Sequence, residues 1–361
     1  MQSPAWFIRS VSVQKFGCLK DVKAVLTPLH AFIGPNDSGK STLLRALRTG
    51  LRLLQSPFVR TPAGLQPFDP GPLAPGSAMH LSFAYGQASV SCNLSIVDEI
   101  HLAESGGTTL GPPEKRPWIS ESSSNPGSKL SWPPQALPLL DAGARLVHFN
   151  PSSLREPSEL IPEGGGRELV DEYGRGLPAI YDAILNRGDD AFLRIVEGVR
   201  RLFPTIKAVR LKVISKSTKA IEVELVSGER VPAAFLSEGL LFYLAFAALQ
   251  HLDPVALLLV EEPENGLHPA RIADVMRILR EISATTQVVL TTHSPLVINE
   301  MQGDEVSVVT RDGVKGTMVR RLEDTPNFAE RSKIYALGEL WLSYANGDDE
   351  GPLLNAAQVA T

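Results

Sequence analysis

Two short stretches hold the residues best suited to do chemistry. The first, "GPNDSGKST" at residues 34–42, fits the pattern G-x-x-x-x-G-K-[ST]. Gly34 and Gly39 would let the backbone curve around a chain of phosphates, through Pro35, Asn36, Asp37 and Ser38. Lys40 would then neutralise charge on the β- and γ-phosphates, Ser41 would ligate Mg²⁺, and Thr42 closes the motif. The plainer reading is a glycine-rich turn that happens to contain a lysine; its place between an apolar run and a helical pattern speaks against that.

The second stretch is "LLLVEEPENGLHP", residues 257–269, where an apolar run ends in Glu261 and Glu262, with Glu264 close behind. Crowded carboxylates repel one another unless a cation is near. A strand that delivered Glu261 at its carboxyl end would place it where ligands of such sheets bind, and Mg²⁺ on a nucleotide would supply the cation. Glu261 would hold the metal, and Glu262 would orient or deprotonate an attacking water. Taken alone, the acidic residues could simply favour the positive end of a helix.

Two further segments carry polar residues at element ends. In "LSEGLL", residues 236–241, Ser237 stands where it could cap a helix, and Gly239 allows close backbone approach. Because Lys40 and its loop would already surround one triphosphate, this second anion-binding helix start suits a nucleotide on another subunit. As a bland alternative, Ser237 is only a helix cap. In "VVLTTHSP", residues 288–295, a strand ends in Thr291, Thr292 and His293, from which His293 could donate to a γ-phosphate. The other histidines show no metal-ligand spacing.

The elements that must position these groups follow from periodicity. Strands are expected at 6–15, 30–34, 144–151, 255–260 and 286–291, with a pair at 305–321. Helices are expected at 43–54, within 177–202, at 238–250 and at 269–282, and hairpins at 79–98 and across "AVRLKVIS" and "AIEVELVSGERV". Residues 104–138, with seven prolines, read as a loop or linker. Strands alternating with helices indicate an α/β fold around a parallel sheet, with an antiparallel portion added early.

Taken in this order, the four motifs resemble the ABC-type ATPase heads of the SMC, RecF and OLD group, often labelled AAA-family ATPases. The likeness covers about 5–60 and 205–310 and is supported by "IRSVSVQKFGCLKDV" ahead of the phosphate loop. It implies a P-loop NTPase fold, a two-lobed ABC-like head with a mixed sheet, an antiparallel β-portion and a helical insertion. The expected division is a head over 1–322, whose nucleotide lobe comprises about 1–60 and 236–322. The insertion would be 61–235, and 323–361 a C-terminal helical tail.

The resemblance further implies a homodimer, head to tail, with two ATP molecules between each phosphate loop and the opposite "LSEGL". Residue by residue, Lys40 and Ser41 become the phosphate and Mg²⁺ contacts and Ser237 and Gly239 the signature acting across the dimer. Glu261 becomes the metal-side acid, Glu262 the catalytic base, His293 the switch histidine, and Asn265 to His268 a loop facing its counterpart. Asn150, after "RLVHF", is the best substitute for the glutamine that usually senses Mg²⁺. Glu at 261 and Leu at 240, where transporter ATPases have Asp and Gln, argue against a transporter. Only about fifty residues follow the region of likeness, and no Toprim nuclease cluster can be assembled from them. A separate effector protein, such as a nuclease acting in DNA repair or phage defence, is therefore the expected partner; a slow ATP-gated DNA clamp is the alternative.

Composition sets the outer limits. With 361 residues, 43% hydrophobic and 21% charged, the chain can bury a sizeable core. A formal charge of −5 gives no general attraction to nucleic acid. DNA contact would need a local patch such as Arg194, Arg200, Arg201, Lys207, Arg210, Lys212, Lys216 and Lys219, although such runs are usually solvated. The same holds for the acidic residues Asp348, Asp349 and Glu350. Two cysteines without a CxxC pair, no signal-peptide pattern and no apolar run of membrane-spanning length point to the cytoplasm.

Overall fold

The computed structural model describes residues 6–55, 58–61, 64–67, 73–85, 88–96, 100–107, 143–312, 314, 316–325 and 328–345. The chain divides into two compact units. One comprises 1–145, 255–261 and 283–361, and the other 146–254 and 262–282.

The first unit contains two larger sheets. Strands β1 (Phe7–Phe16), β2 (Leu19–Val25), β6 (Leu73–Tyr85), β7 (Ala88–Ile96) and β8 (Ile100–Gly107) form an antiparallel sheet in the order β2-β1-β6-β7-β8. A separate small pair joins β4 (Phe58–Thr61) to β5 (Gly64–Pro67). The expected hairpin at 79–98 is present, with Tyr85 opposite Ala88. Its continuation into β8 takes up the start of the proline-rich segment, while 108–142 lies outside the described residues.

The other sheet is six-stranded and mixed. It is built from β3 (Leu29–Ile33), β9 (Ala144–Val147), β14 (Leu257–Glu261), β15 (Gln287–Thr292), β16 (Val306–Asp312) and β17 (Gly316–Arg321), in the order β17-β16-β3-β15-β14-β9. Every residue of β3, β14 and β15 is buried. That explains their continuous apolar runs, since a parallel strand covered on both faces has no solvent side to alternate with. Strand β16 runs parallel to β3 and antiparallel to β17.

Helix α1 (Lys40–Gln55) packs on β14 and β15. Its residues Leu43, Leu44, Leu47 and Leu51 are buried, and Arg45, Arg48 and Arg52 face solvent, as helical spacing requires. Gly50 faces β6 so closely that a Cβ there would meet Met79 Sδ at 2.3 Å. Gln287 joins the two sheets: its Oε1 accepts from Ile8 N at 2.8 Å, and its Nε2 donates to Ile8 O at 2.9 Å and Thr27 O at 3.1 Å. The C-terminal segment also belongs here, with Gly338 N donating to Asn299 Oδ1 at 2.7 Å.

The second unit contains α2 (Pro151–Arg155), α3 (Leu177–Asn186), α4 (Ala191–Leu202), α5 (Glu238–Leu249) and α6 (Pro269–Ile282). A small antiparallel sheet, β10 (Ser158–Glu159), β12 (Thr218–Leu225) and β11 (Ile206–Val213), carries β13 (Arg230–Pro232) on β12. Helix α5 is buried on all sides from Leu240 to Leu249, which accounts for its unbroken apolar run. This division differs from the expected one: α5 groups with the helical unit, and the C-terminal segment groups with the sheets. Periodicity locates elements but says nothing of which apolar faces share a core.

Candidate functional site

The loop between β3 and α1 leaves no room for a side chain at Gly34 or Gly39. A Cβ on Gly34 would stand 2.0 Å from the carbonyl oxygen of Val309, so the loop lies directly against the β16 backbone. Asp37 and Gly39 hold left-handed conformations, with φ of 63° and 105°. Such bends gather backbone N–H groups into an anion-binding concavity. The Ser38 hydroxyl is buried without a hydrogen-bond partner.

Lys40, buried at the first position of α1, donates from Nζ to Gly34 O at 2.8 Å and to Pro35 O at 2.7 Å. The ammonium is thus held inside the loop by carbonyls. Ser41 lies one residue further along the first turn and is exposed. Thr42 Oγ1 is 3.4 Å from the Cys18 thiol, which belongs to the β1–β2 turn. The helix begins at Lys40 rather than at Leu43, as the periodicity suggested, because the polar residues of the motif form its first turn.

Glu261 is buried at the last position of β14 and lies opposite Thr291 of β15; Thr291 in turn is opposite Phe32, and Thr292 opposite Ile33. The carboxylate therefore sits at the same end of the sheet as the Gly34–Thr42 loop, with β15 between their strands. Thr291 Oγ1 is buried without a hydrogen-bond partner. Beyond it, Thr292 Oγ1 accepts from Ser294 N at 2.9 Å, a turn that leaves His293 exposed at the strand end. At the base of the loop's strand, His30 is enclosed between Thr27 Oγ1 at 3.3 Å and Ser307 Oγ at 3.0 Å. Burial, aided by Arg321, pushes its pKa down to about 3.

The donor set on this unit fits Mg²⁺ carried by a nucleotide. Ser41 and Glu261 offer oxygen ligands, and magnesium is commonly held by one or two protein oxygens with phosphates and water completing its shell. Among the described residues, no group of three or more His, Cys, Asp or Glu side chains could hold a metal ion by itself.

The remaining predicted residues belong to the second unit. Glu262 has a φ of 47°, a strained conformation for a non-glycine residue, and its Oε2 accepts from Asn265 Nδ2 at 2.6 Å. Glu264 is buried. Ser237 occupies the N-cap of α5, but its hydroxyl makes no capping hydrogen bond. Gly239 lies next to the Asn265–His268 loop, where a Cβ would be 3.4 Å from Gly266 O. The structure therefore brings "LSEGL" and that loop together on one surface. Gly266 is itself indispensable, since a Cβ there would enter the Phe242 ring at 2.2 Å.

Asn150 is exposed, and its Oδ1 accepts from Ser152 N at 2.9 Å as the N-cap of α2. A metal could use that oxygen only by displacing the cap. Half of the basic run is paired with carboxylates: Lys207 and Arg210 with Glu224, Lys219 with Asp182, and Arg201 with Asp274. Hydrogen bonds from Lys207 and Arg210 hold the Glu224 carboxyl below its usual range. Asp348, Asp349 and Glu350 lie outside the described residues.

Sequence reasoning missed Thr317 and Arg311, which touch the outer side of the loop from β17 and β16. No local motif marks them. Among the described residues no helix is long and apolar enough to cross a membrane.

Residues 29–299 match the family described as "AAA domain, putative AbiEii toxin, Type IV TA system". An OLD nuclease from Thermus scotoductus is 45% identical over 40 residues, which is 11% of this chain and 8% of that protein. Among solved structures, the Smc head bound to the C-winged helix domain of ScpA matches with a TM-score of 0.57 at 16% identity. That match covers 88% of this chain and 99% of the other. The Smc head domain with an extended coiled coil, bound to the C-terminal domain of ScpA derived from Pyrococcus furiosus, matches with a TM-score of 0.50 at 14% identity. It covers 91% of this chain and 100% of that one. These likenesses place the fold with SMC-type P-loop ATPase heads.

Proposed function

This chain belongs to the AAA domain family matched over residues 29–299, and we propose that it binds Mg-ATP in the Gly34–Thr42 loop and hydrolyses it. The observation that carries the reading is the shared sheet end: buried Lys40 heads α1, and buried Glu261 ends β14 two strands away. The nearest P-loop residues act as positioners. Loop N–H groups and Lys40 bind the phosphates, with Lys40 exchanging its hold on Gly34 O and Pro35 O for phosphate oxygens. Ser41 and Glu261 hold the cation side. Magnesium, when bound with the nucleotide, supplies charge neutralisation on the phosphate oxygens.

Glu262 accepts the proton of the attacking water as its oxygen bonds to the γ-phosphorus and the bond to the β-phosphate oxygen breaks, giving ADP and phosphate. Its strained backbone supports this role, because strain persists where the surroundings hold a residue in one orientation. His293 donates a hydrogen bond to the transferred phosphoryl group.

Head-to-tail dimerisation places Ser237 and Gly239 of one copy against the nucleotide of the other. In support, the Ser237 hydroxyl is not spent on capping α5, and the Asn265–His268 loop shares its surface. A separate effector protein, nuclease or otherwise, would respond to this nucleotide-driven association in the cytoplasm. Direct DNA binding is the less favoured reading, because half of the basic run is already paired with carboxylates.

The test is Glu262→Gln. Hydrolysis should fall at least about a hundredfold, as loss of a general base allows. ATP binding should persist, and sedimentation should reveal an ATP-dependent dimer. Turnover equal to wild type would remove Glu262 as the base, and a monomer at saturating ATP would remove the dimer.

A further inference from the structure

The β16–β17 hairpin holds the outer side of the loop at two successive peptides. Arg311 donates from Nη1 to Asp37 O at 3.3 Å, and Thr317 donates from Oγ1 to Ser38 O at 2.9 Å, across 279 residues of sequence. Thr317 is 1% exposed, so its hydroxyl has little water to turn to. Asp37 and Gly39, the two left-handed residues, bracket these carbonyls.

The geometry has a direct consequence. In a trans peptide the C=O and N–H point to opposite sides. Fixing the Ser38 carbonyl toward Thr317 therefore turns the Gly39 N–H away from the hairpin. Gly39 comes so near that a Cβ would stand 2.7 Å from Thr317 Oγ1, which leaves no room for another side chain. The hairpin is itself tethered, because Lys20 Nζ on β2 donates to Val314 O at 3.0 Å.

We propose that Thr317 is a positioning residue for the nucleotide: its hydroxyl sets the Ser38–Gly39 peptide so that the Gly39 N–H faces phosphate. Arg311 steadies the preceding peptide in the same way. The hairpin thus acts as a brace on the phosphate-binding loop, from outside any motif. This rests on the reading of Gly34–Thr42 as an ATP site.

The test uses the full chain and Mg-ATP. Thr317→Val keeps the shape and removes the donor, Thr317→Ser restores it, and Arg311→Ala removes the exposed contact if Thr317→Val does not fold. Loss of one such hydrogen bond should raise the ATP Kd and KM about tenfold. It should leave kcat unchanged and speed amide exchange across residues 34–42. Thr317→Ser should reverse both effects, and Arg311→Ala should show a weaker version of them.

Wild-type KM and exchange in Thr317→Val, or failure of Thr317→Ser to restore them, would overturn the proposal. Should Thr317→Val not fold, wild-type KM and exchange in Arg311→Ala would overturn it. If the wild type binds no ATP, the nucleotide reading falls. Faster exchange at 34–42 in Thr317→Val, reversed by Thr317→Ser, would then still establish the brace, and unchanged exchange would refute it.

Discussion

Acid should destabilise this protein through His30, which lies on β3 four residues before the Gly34–Thr42 loop. The folded chain holds the ring in a wholly buried position between Thr27 and Ser307, edge-on to Phe32 at 5.1 Å. Its pKa falls from 6.5 to about 3, first through burial and then through the nearby Arg321. A group whose folded pKa is depressed takes up its proton in the unfolded chain first, so stability is lost as pH falls through 6.5. From pH 7 to pH 5 the unfolded histidine moves to about 1.5 units below its midpoint while the folded one stays neutral. At 1.36 kcal/mol per unit that costs about 2 kcal/mol. His251, also held low by burial, contributes in the same direction. The assay is therefore a difference: urea unfolding of wild type and His30→Gln at pH 7 and pH 5, followed by far-ultraviolet circular dichroism. Wild type should lose about 2 kcal/mol more than the variant over that interval. Equal losses would show that His30 is not buried neutral beneath the loop.

Two other perturbations separate the loop from its support. Gly34→Ala would set a methyl group 2.0 Å from Val309 O, so the loop must shift by about 1 Å, a misplacement that can cost about a hundredfold in activity. ATP titration should show loss of binding with about 1–3 kcal/mol of destabilisation, and normal affinity would contradict the contact. Gln287→Leu strips buried partners from Ile8 N, Ile8 O and Thr27 O and should lower the unfolding free energy by about 3 kcal/mol. A loss under about 1 kcal/mol in urea unfolding would mean that Gln287 does not join the sheets.

The parts legible in the sequence are those whose physics is local. The tight turn from Gly34 to Lys40 could be read because close backbone approach restricts residue types at fixed spacing. Strands β14 and β15 could be read because full burial leaves an unbroken apolar run. Three features depend on contacts distant in sequence and were not legible. The brace from Thr317 and Arg311, the Gln287 junction and the grouping of α5 with the helical unit all join segments that carry no mutual signal. Glu262 lies between these cases: its carboxylate could be read, but its left-handed backbone could not, since glycine is the residue that normally announces that conformation. Ser237 and Asn150 show another limit. Ser237 holds the cap position without capping, whereas Asn150 caps a short helix with the oxygen assigned to a metal. A side chain's choice among nearby partners is decided by geometry that residue type does not contain.

The most direct test is equilibrium binding of Mg-ATP to the wild-type chain and to Lys40→Ala, measured by calorimetry at one salt concentration. Wild type should bind one nucleotide per chain, and the variant at least about a hundredfold more weakly, consistent with loss of a buried charge-assisted contact. Equal affinity in the two proteins, or no binding by wild type, would contradict a nucleotide site in the Gly34–Thr42 loop.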